Sequence, residues 1–359
     1  LHLIGIEPKA PGLHIFGKFY LPRLGLPQLL TQASLRGHEC EIFCEEITSI
    51  SWNSVKQADL ILLSSITSTI PRAYMLARKI REINPSAPIL MGGPHVTFLP
   101  EEALENGADY VFRHEADVSF MLFLDWLTSG RRPEDLMAIP GLSFKMGDGY
   151  FHAPPPPQVD LDSLPTPNLC LIEGFDHPPT IPIITSRGCP WSCEFCSEIA
   201  MFGRNYRFRS EEKVLQDIEY YDRQYGKISV FFADDNLGAN RRRLERLCQH
   251  IIDSRLVRSF HGQVRLDLAK HPDTLKLMSR AGFQRAYIGY ESINPESLEA
   301  MHKGLGSSEM EDLTKVFHKH KILVHAMWVL GFDGDTTDTV KQTIRACMKW
   351  RIDTTQFLI

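Results

Sequence analysis

Short apolar runs alternate with amphipathic stretches along this chain, and the alternation breaks off once and then restarts. In the first stretch, residues 1–6 read as a strand and 26–36 as a helix stopped by Gly37. Residues 41–43 make a short strand. The run 59–65 (DLILLSS) is apolar without alternation, the mark of a parallel strand buried on both faces. A helix is expected at 71–83, with Pro71 in its first turn, and a strand at 88–91 closed by Gly92-Gly93-Pro94-His95. Helices at 100–106 and 118–127 flank a strand at 110–113. This rhythm predicts right-handed βαβ units and a doubly wound, Rossmann-like parallel sheet over residues 1–130. Ligands on such sheets bind at the carboxyl ends of the strands. Here those ends carry Ser64-Ser65-Ile66-Thr67-Ser68 and Gly92-Gly93-Pro94-His95.

Residues 131–180 break the rhythm. Four prolines stand in a row at 154–157, followed by Pro165, Pro167, Pro178 and Pro179. Such a run favours extended backbone and resists helix, so an interdomain connector is expected here. Beyond it, over 181–359, strands are expected at 183–185, 228–233, 259–266, 285–290, 323–330 and 354–359. Helices at 211–225, 241–254, 272–281, 296–302, 310–319 and 337–350 separate them. Six strands with helical connections make a partial (β/α)6 barrel, cut off before the helix that should pack on its last strand. The fold class is therefore α/β in both halves.

Composition narrows the function. With 43% hydrophobic and 23% charged residues, the chain is an ordinary globular protein. A net charge of −5 excludes the basic excess of an electrostatic nucleic-acid binder. No apolar run approaches the roughly 18–20 residues that span a bilayer. The chain starts at Leu1 in a strand-like segment rather than a signal peptide, which suggests a fragment or processed product. Its eight cysteines are too sparse for a disulfide scaffold, yet three fall between 189 and 196. That pattern points to a reducing, cytoplasmic setting and a metal site.

Cys189, Cys193 and Cys196 are spaced C-x3-C-x2-C. Three thiolates on one tight loop can hold three corners of an iron–sulfur cubane and leave one iron open for a small molecule. A zinc site closed from afar by one of the 14 histidines, or three incidental cysteines, are the other readings of the same spacing.

At these residues the sequence resembles the radical SAM superfamily, whose signature is C-x3-C-x-aromatic-C after the first strand of a partial β/α barrel; Phe195 fills the aromatic slot. The resemblance implies a [4Fe-4S] cluster on Cys189, Cys193 and Cys196, whose open iron chelates S-adenosylmethionine. It also implies contacts to that ligand from Phe195 and from later strand ends: Asp234 and Asp235, Gln263 and Arg265, Glu291 in a Gly-x-Glu-Ser turn, and Gly331. Chemistry in β/α barrels sits at such strand ends.

The front half is similar to the cobalamin-binding domains of B12-dependent radical SAM proteins, in the order Leu24-Gly25-Leu26-Pro27, Arg36-Gly37-His38-Glu39, Ser64-Ser65-Ile66-Thr67, Gly92-Gly93-Pro94-His95 and Pro100-Glu101-Glu102. The resemblance implies that Ser64, Ser65, Thr67, Gly92, Gly93 and His95 contact cobalamin. Two departures stand out. There is no D-x-H-x-x-G stretch to supply an axial histidine, and His114-Glu115-Ala116-Asp117 replaces the usual Gly-Glu-Gly-Glu. The implied activity is functionalisation of an unactivated carbon, by methyl transfer if cobalamin binds. Radical coupling, cyclisation or rearrangement is implied if it does not, and a non-catalytic iron–sulfur redox protein is a further alternative. The implied partners are a small-molecule or lipid substrate and an electron donor such as flavodoxin or ferredoxin, with no nucleic acid and no transmembrane segment.

Overall fold

Apolar runs without alternation end up where both faces are covered. In the first of two units, Leu1–His177, β1 (His2–Glu7), β2 (Glu39–Cys44), β3 (Leu60–Ser64), β4 (Ile89–Gly92) and β5 (Tyr110–Phe112) pair in parallel in the order β2-β1-β3-β4-β5. Residues 60–63 of β3 are at most 1% exposed, which is why that strand shows no polar alternation. Helix Ile70–Ile83 buries Ala73, Leu76, Ala77 and Ile80, the three-to-four spacing of an amphipathic face. The strand order reverses at β1, which has β2 on one side and β3 on the other. The crevice at such a switch point opens just beyond the carboxyl ends, here past Ser64. The computed structural model describes residues 1–12, 21–130, 132–304 and 306–359. Arg131, the expected first residue of the connector, lies outside the described residues.

The expected connector at 131–180 is in large part folded. Residues Pro133–Met137 are helical, and β6 (Leu142–Met146) and β7 (Gly149–His152) form a hairpin that joins β5 antiparallel, making the sheet seven-stranded. Gly147 and Asp148 supply its two-residue turn, with Gly147 at φ +60°. That signal was present in the sequence; the prolines that follow it dominate the composition and hide it. Residues 153–160 carry no helix or strand, and the later part packs back on the first unit. The Asn168 N–H donates to Thr31 Oγ1 at 2.7 Å, Gln28 Nε2 donates to the Pro165 carbonyl at 3.3 Å, and Ile172 bridges Ile42.

The second unit, Pro178–Ile359, contains β8 (Ile181–Ile183), a short ladder of β9 (Ser186–Arg187) with β10 (Arg207–Phe208), and then β11 (Ser229–Phe232), β12 (Ser259–Val264), β13 (Phe283–Glu291), β14 (Leu323–Val329) and β15 (Thr354–Leu358). All but β9 and β10 pair in parallel in strict chain order, β8-β11-β12-β13-β14-β15, as a six-stranded partial barrel requires. Strand parity divides the sheet into two faces. One is closed by Phe232, Phe260 and Phe283, whose rings lie 5.4 and 5.0 Å apart in succession. The other carries Phe231, His261, Gln263, Arg285, Tyr287 and His325. Among the described residues, no helix is long and apolar enough to cross a membrane.

Candidate functional site

Cys189, Cys193 and Cys196 occupy one loop between β9 and β10, whose antiparallel pairing closes the loop at its base. All three are free and partly buried. The Cys196 N–H donates to the Cys193 carbonyl at 3.1 Å, a tight turn. Burial pushes the Cys189 and Cys196 thiols up, while the backbone N–H groups of Trp191 and Glu198 donate to these sulfurs and pull them back. The Cys193 thiol is among the charges felt by both. Three soft donors on one loop, with amides already aimed at two of the sulfurs, fit an iron–sulfur cluster.

The neighbouring aspartates part company. Asp234 is 1% exposed, and its carboxylate is taken up by the chain around it. It accepts from the Thr185 N–H at 2.8 Å, Thr185 Oγ1 at 2.9 Å and Ser186 Oγ at 2.7 Å, and also from the Ser186 N–H. Burial pushes its pKa up, and the Arg243 charge and these donors pull it back. Asp234, expected as a ligand contact, thus spends its carboxylate on clamping the chain that leads into the cysteine loop. Asp235 instead meets Glu198, a residue that the sequence analysis missed although it follows Cys196 by only two positions. Burial raises both carboxyls, and the charge of Glu198 raises Asp235 further, so the pair favours one shared proton.

Arg265 and Glu291 belong to a second network. Arg265 stacks 3.9 Å over the Trp191 ring, pairs with Asp267 at 3.0 Å and donates to the Lys303 carbonyl at 3.0 Å. It straps the cysteine loop to the end of β12 and keeps only Nη1 uncommitted. Lys303, a second residue the sequence analysis missed, donates from Nζ to Glu291 Oε1 at 2.7 Å, with both side chains 10% exposed. Glu291 is held at φ +63°, beside a register shift in β13. Left-handed backbone at a non-glycine residue costs about 1–2 kcal/mol. Gly289 makes the arrangement possible, since a Cβ there would overlap the Glu291 carboxylate. The other Glu291 oxygen and the half-buried Gln263 amide make no hydrogen bond among the described residues. At the end of β14, the Gly331 and Phe332 N–H groups donate to Asp335, and the Phe332 ring meets Phe195 edge-on at 6.3 Å. The cysteine loop therefore reaches across to the Gly331 turn.

The carboxyl edge of the first unit has a different character. Ser65 is 1% exposed, and its Oγ and that of Ser68 are buried without a hydrogen-bond partner. Ser64 accepts from Arg23 at 3.5 Å through its carbonyl. Thr67 Oγ1 lies 3.3 Å from His95 Nδ1, and His95 Nε2 lies 3.5 Å from Glu102. His95 is therefore held at Nδ1, while its buried Nε2 makes no hydrogen bond. Space is open beside Gly92, whereas Gly93, at φ +109°, sits so close to Ser65 that a Cβ would overlap its carbonyl. Orphaned hydroxyls beside open space fit a polar ligand such as the tail and amides of a corrin. His114 keeps the left-handed backbone, φ +62°, that a glycine would adopt freely, and its N–H is held by Thr97 Oγ1 at 3.0 Å. Ser68 and Ser119, both with unpartnered buried hydroxyls, are further polar groups that the sequence analysis did not name as contacts.

Comparison with known proteins finds a family match in each half of the chain. Residues 183–347 match the family model of the Radical SAM superfamily, and residues 18–124 that of the B12 binding domain. An uncharacterized methyltransferase of Pyrococcus horikoshii is 31% identical over 308 residues, covering 84% of this chain and 66% of that protein. The bacteriochlorophyllide d C-12(1)-methyltransferase of Chlorobaculum tepidum is 25% identical over 307 residues, covering 82% of this chain and 61% of that protein. The chain thus spans under two thirds of the length of these relatives. Among solved structures, the radical S-adenosylmethionine methyltransferase TsrM from Kitasatospora setae, with cobalamin and a [4Fe-4S] cluster bound, superposes with a TM-score of 0.79 at 18% identity. That match covers 99% of this chain and 74% of TsrM.

Proposed function

Because the chain belongs to the branch of the radical SAM superfamily that carries a B12-binding domain, we propose that it cleaves S-adenosylmethionine reductively and transfers a methyl group to an unactivated carbon with the help of cobalamin. The observation that carries this reading is one chain holding both a three-cysteine loop and a switch-point edge with orphaned hydroxyls. A [4Fe-4S] cluster on Cys189, Cys193 and Cys196 would supply the one-electron reducing power that cleavage of S-adenosylmethionine needs. A bound cobalamin supplies the methyl carrier. The chain's own work is binding and positioning. Cys189, Cys193 and Cys196 hold the cluster, and the Arg265–Trp191 stack keeps their loop in register with the strand ends. The free oxygen of Glu291, the Gln263 amide, Asp235, Phe195 and the Gly331 turn are the groups left for adenosylmethionine. Reduction calls for a low-potential donor such as flavodoxin or ferredoxin, and the many free thiols suit a cytoplasmic setting.

The deciding experiment is anaerobic reconstitution of the chain with iron, sulfide and cobalamin, read by visible spectrum and by products from S-adenosylmethionine. Corrin retention with formation of both 5′-deoxyadenosine and S-adenosylhomocysteine is expected. Formation of 5′-deoxyadenosine without retained corrin overturns methyl transfer in favour of radical coupling, cyclisation or rearrangement. Two variants probe the two ligands separately. Glu291→Ala leaves the cluster assembled and weakens adenosylmethionine binding about tenfold, the loss of one charge-assisted hydrogen bond; unchanged affinity on calorimetry would reduce Glu291 to a brace for Lys303. Gly93→Trp puts a side chain where even a Cβ meets the Ser65 carbonyl. It should expel the corrin while iron content stays at the wild-type level, and normal corrin uptake by this variant would remove Gly93 from the site.

A further inference from the structure

The sheet face that bears Arg265 also bears a polar cluster nearer the amino ends of the strands. It consists of His261 on β12, Arg285 on β13 and His325 on β14. Register brings them side by side: His261 is the Cα partner of Arg285, and Tyr287, two residues further on, is the partner of His325. The Tyr287 ring lies 4.7 Å from His325 and 5.2 Å from Phe231, so these side chains share one face.

The polar atoms of the cluster are not satisfied. Arg285 Nε is buried without a hydrogen-bond partner, and no carboxylate pairs with this guanidinium among the described residues. His261 Nδ1 and His325 Nε2 are also buried with no partner at full hydrogen-bond distance, although the Gln356 side chain lies near enough to act on His325. His325 is only 6% exposed, and its Nδ1 is taken up by Thr354 Oγ1 at 2.9 Å. Burial pushes both imidazoles down, His261 to about 4; the Arg285 charge adds to this at both, while Gln356 acts the other way at His325. Both rings are therefore neutral near pH 7, and the guanidinium carries the charge of the cluster. Water at the strand ends could serve its outer nitrogens, but not the buried Nε or the two imidazole nitrogens. A partly buried charge without a counterion is costly. A ligand of opposite charge removes that cost.

We infer that this cluster receives the anionic group of the substrate, a carboxylate, with the apolar body of the molecule lying along Phe231, Tyr287 and Met327. The inference rests on the reading of the second unit as a radical SAM barrel, and it adds a substrate class: an elongated organic acid. Arg265, on the same face, is four residues beyond His261 along the chain. At about 3.3 Å per residue, the anion and the level of the strand ends are roughly 13 Å apart.

The test titrates the cluster-loaded chain with octanoate, octanamide and inorganic phosphate by calorimetry, without adenosylmethionine or cobalamin. Octanoate is expected to bind at least about tenfold more tightly than octanamide. Arg285→Gln should weaken octanoate binding about 10- to 100-fold, the loss of charge-assisted hydrogen bonds, with Arg285→Lys recovering part of it. Equal binding of octanoate and octanamide, undiminished octanoate binding by Arg285→Gln, or no octanoate binding at all overturns the inference. Phosphate binding tighter than octanoate overturns the carboxylate assignment in favour of a phosphorylated ligand. Should Arg285→Gln fail to fold, as judged by thermal melting, His325→Gln serves in its place: weakened octanoate binding supports the inference and undiminished binding overturns it. Failure of the proposed function would show independently, as loss of 5′-deoxyadenosine formation by the wild-type chain.

Discussion

Replacing Cys193 with alanine abolishes the iron absorbance of the reconstituted chain and, with it, formation of 5′-deoxyadenosine. The same loss is expected at Cys189 and Cys196, because a cluster held by three thiolates has no spare protein ligand on this loop. Alanine at Cys40, Cys44, Cys170, Cys248 or Cys347 leaves iron content unchanged. The contrast has a physical cause. Cys44 and Cys248 are 1% and 0% exposed, out of reach of assembling iron. Burial pushes the Cys40 and Cys248 thiols up to about 12, so neither offers the thiolate that a metal needs. Iron per chain and the visible spectrum decide the matter. A Cys193→Ala protein that keeps a full complement of iron would sink the ligand assignment.

The second large effect concerns a residue whose carboxylate is hydrogen-bonded within the chain. Asp234→Ala removes the acceptor for two backbone N–H groups and two hydroxyls at Thr185 and Ser186. It also takes away the carboxylate near Arg243, which is 0% exposed and spends Nη2 on the Thr185 and Arg209 carbonyls. Leaving a buried charge and several buried donors without partners costs about 3–5 kcal/mol. The second unit should therefore unfold at markedly lower denaturant, and the cysteine loop, whose approach Asp234 clamps, should hold iron poorly. Asp234→Asn should rescue little, because its amide group turns a donor toward donors. If Asp234→Ala unfolds at the wild-type midpoint with full iron, the clamp is not what positions the loop.

Much of this molecule is legible in the sequence because the signals are local. The cysteine spacing lies within eight residues, and a ligand loop needs nothing from further away to declare its chemistry. Helices such as Glu211–Tyr225, Arg241–Ser254 and Pro272–Ala281 match expectation residue for residue, since periodicity, caps and Gly226 or Gly282 at the ends are properties of the segment itself. Where local signals compete, the reading fails. The Gly147-Asp148 turn and its two strands were hidden by the prolines that follow, although Pro154–Pro157 begin only after the hairpin ends at His152.

The division of labour within the site was a different kind of question. Adjacent aspartates at a strand end point to opposite sides of the sheet, and no feature of the sequence says which side is the mouth. Only the packed barrel turned Asp234 toward Thr185 and Ser186 and left Asp235 to meet Glu198. Likewise Lys303 reaches Glu291 from twelve residues away, and Arg265 finds Trp191 across 74 positions. The cluster of His261, Arg285 and His325 owes its existence to strand register, which sets three distant residues on one face. The sequence by itself determined most helices, the parallel strands of both units, their order and the three-cysteine loop, because each is encoded by neighbours along the chain. Only the tertiary structure decided which polar groups are spent on one another and which stay open, because desolvation and hydrogen bonding depend on neighbours in space.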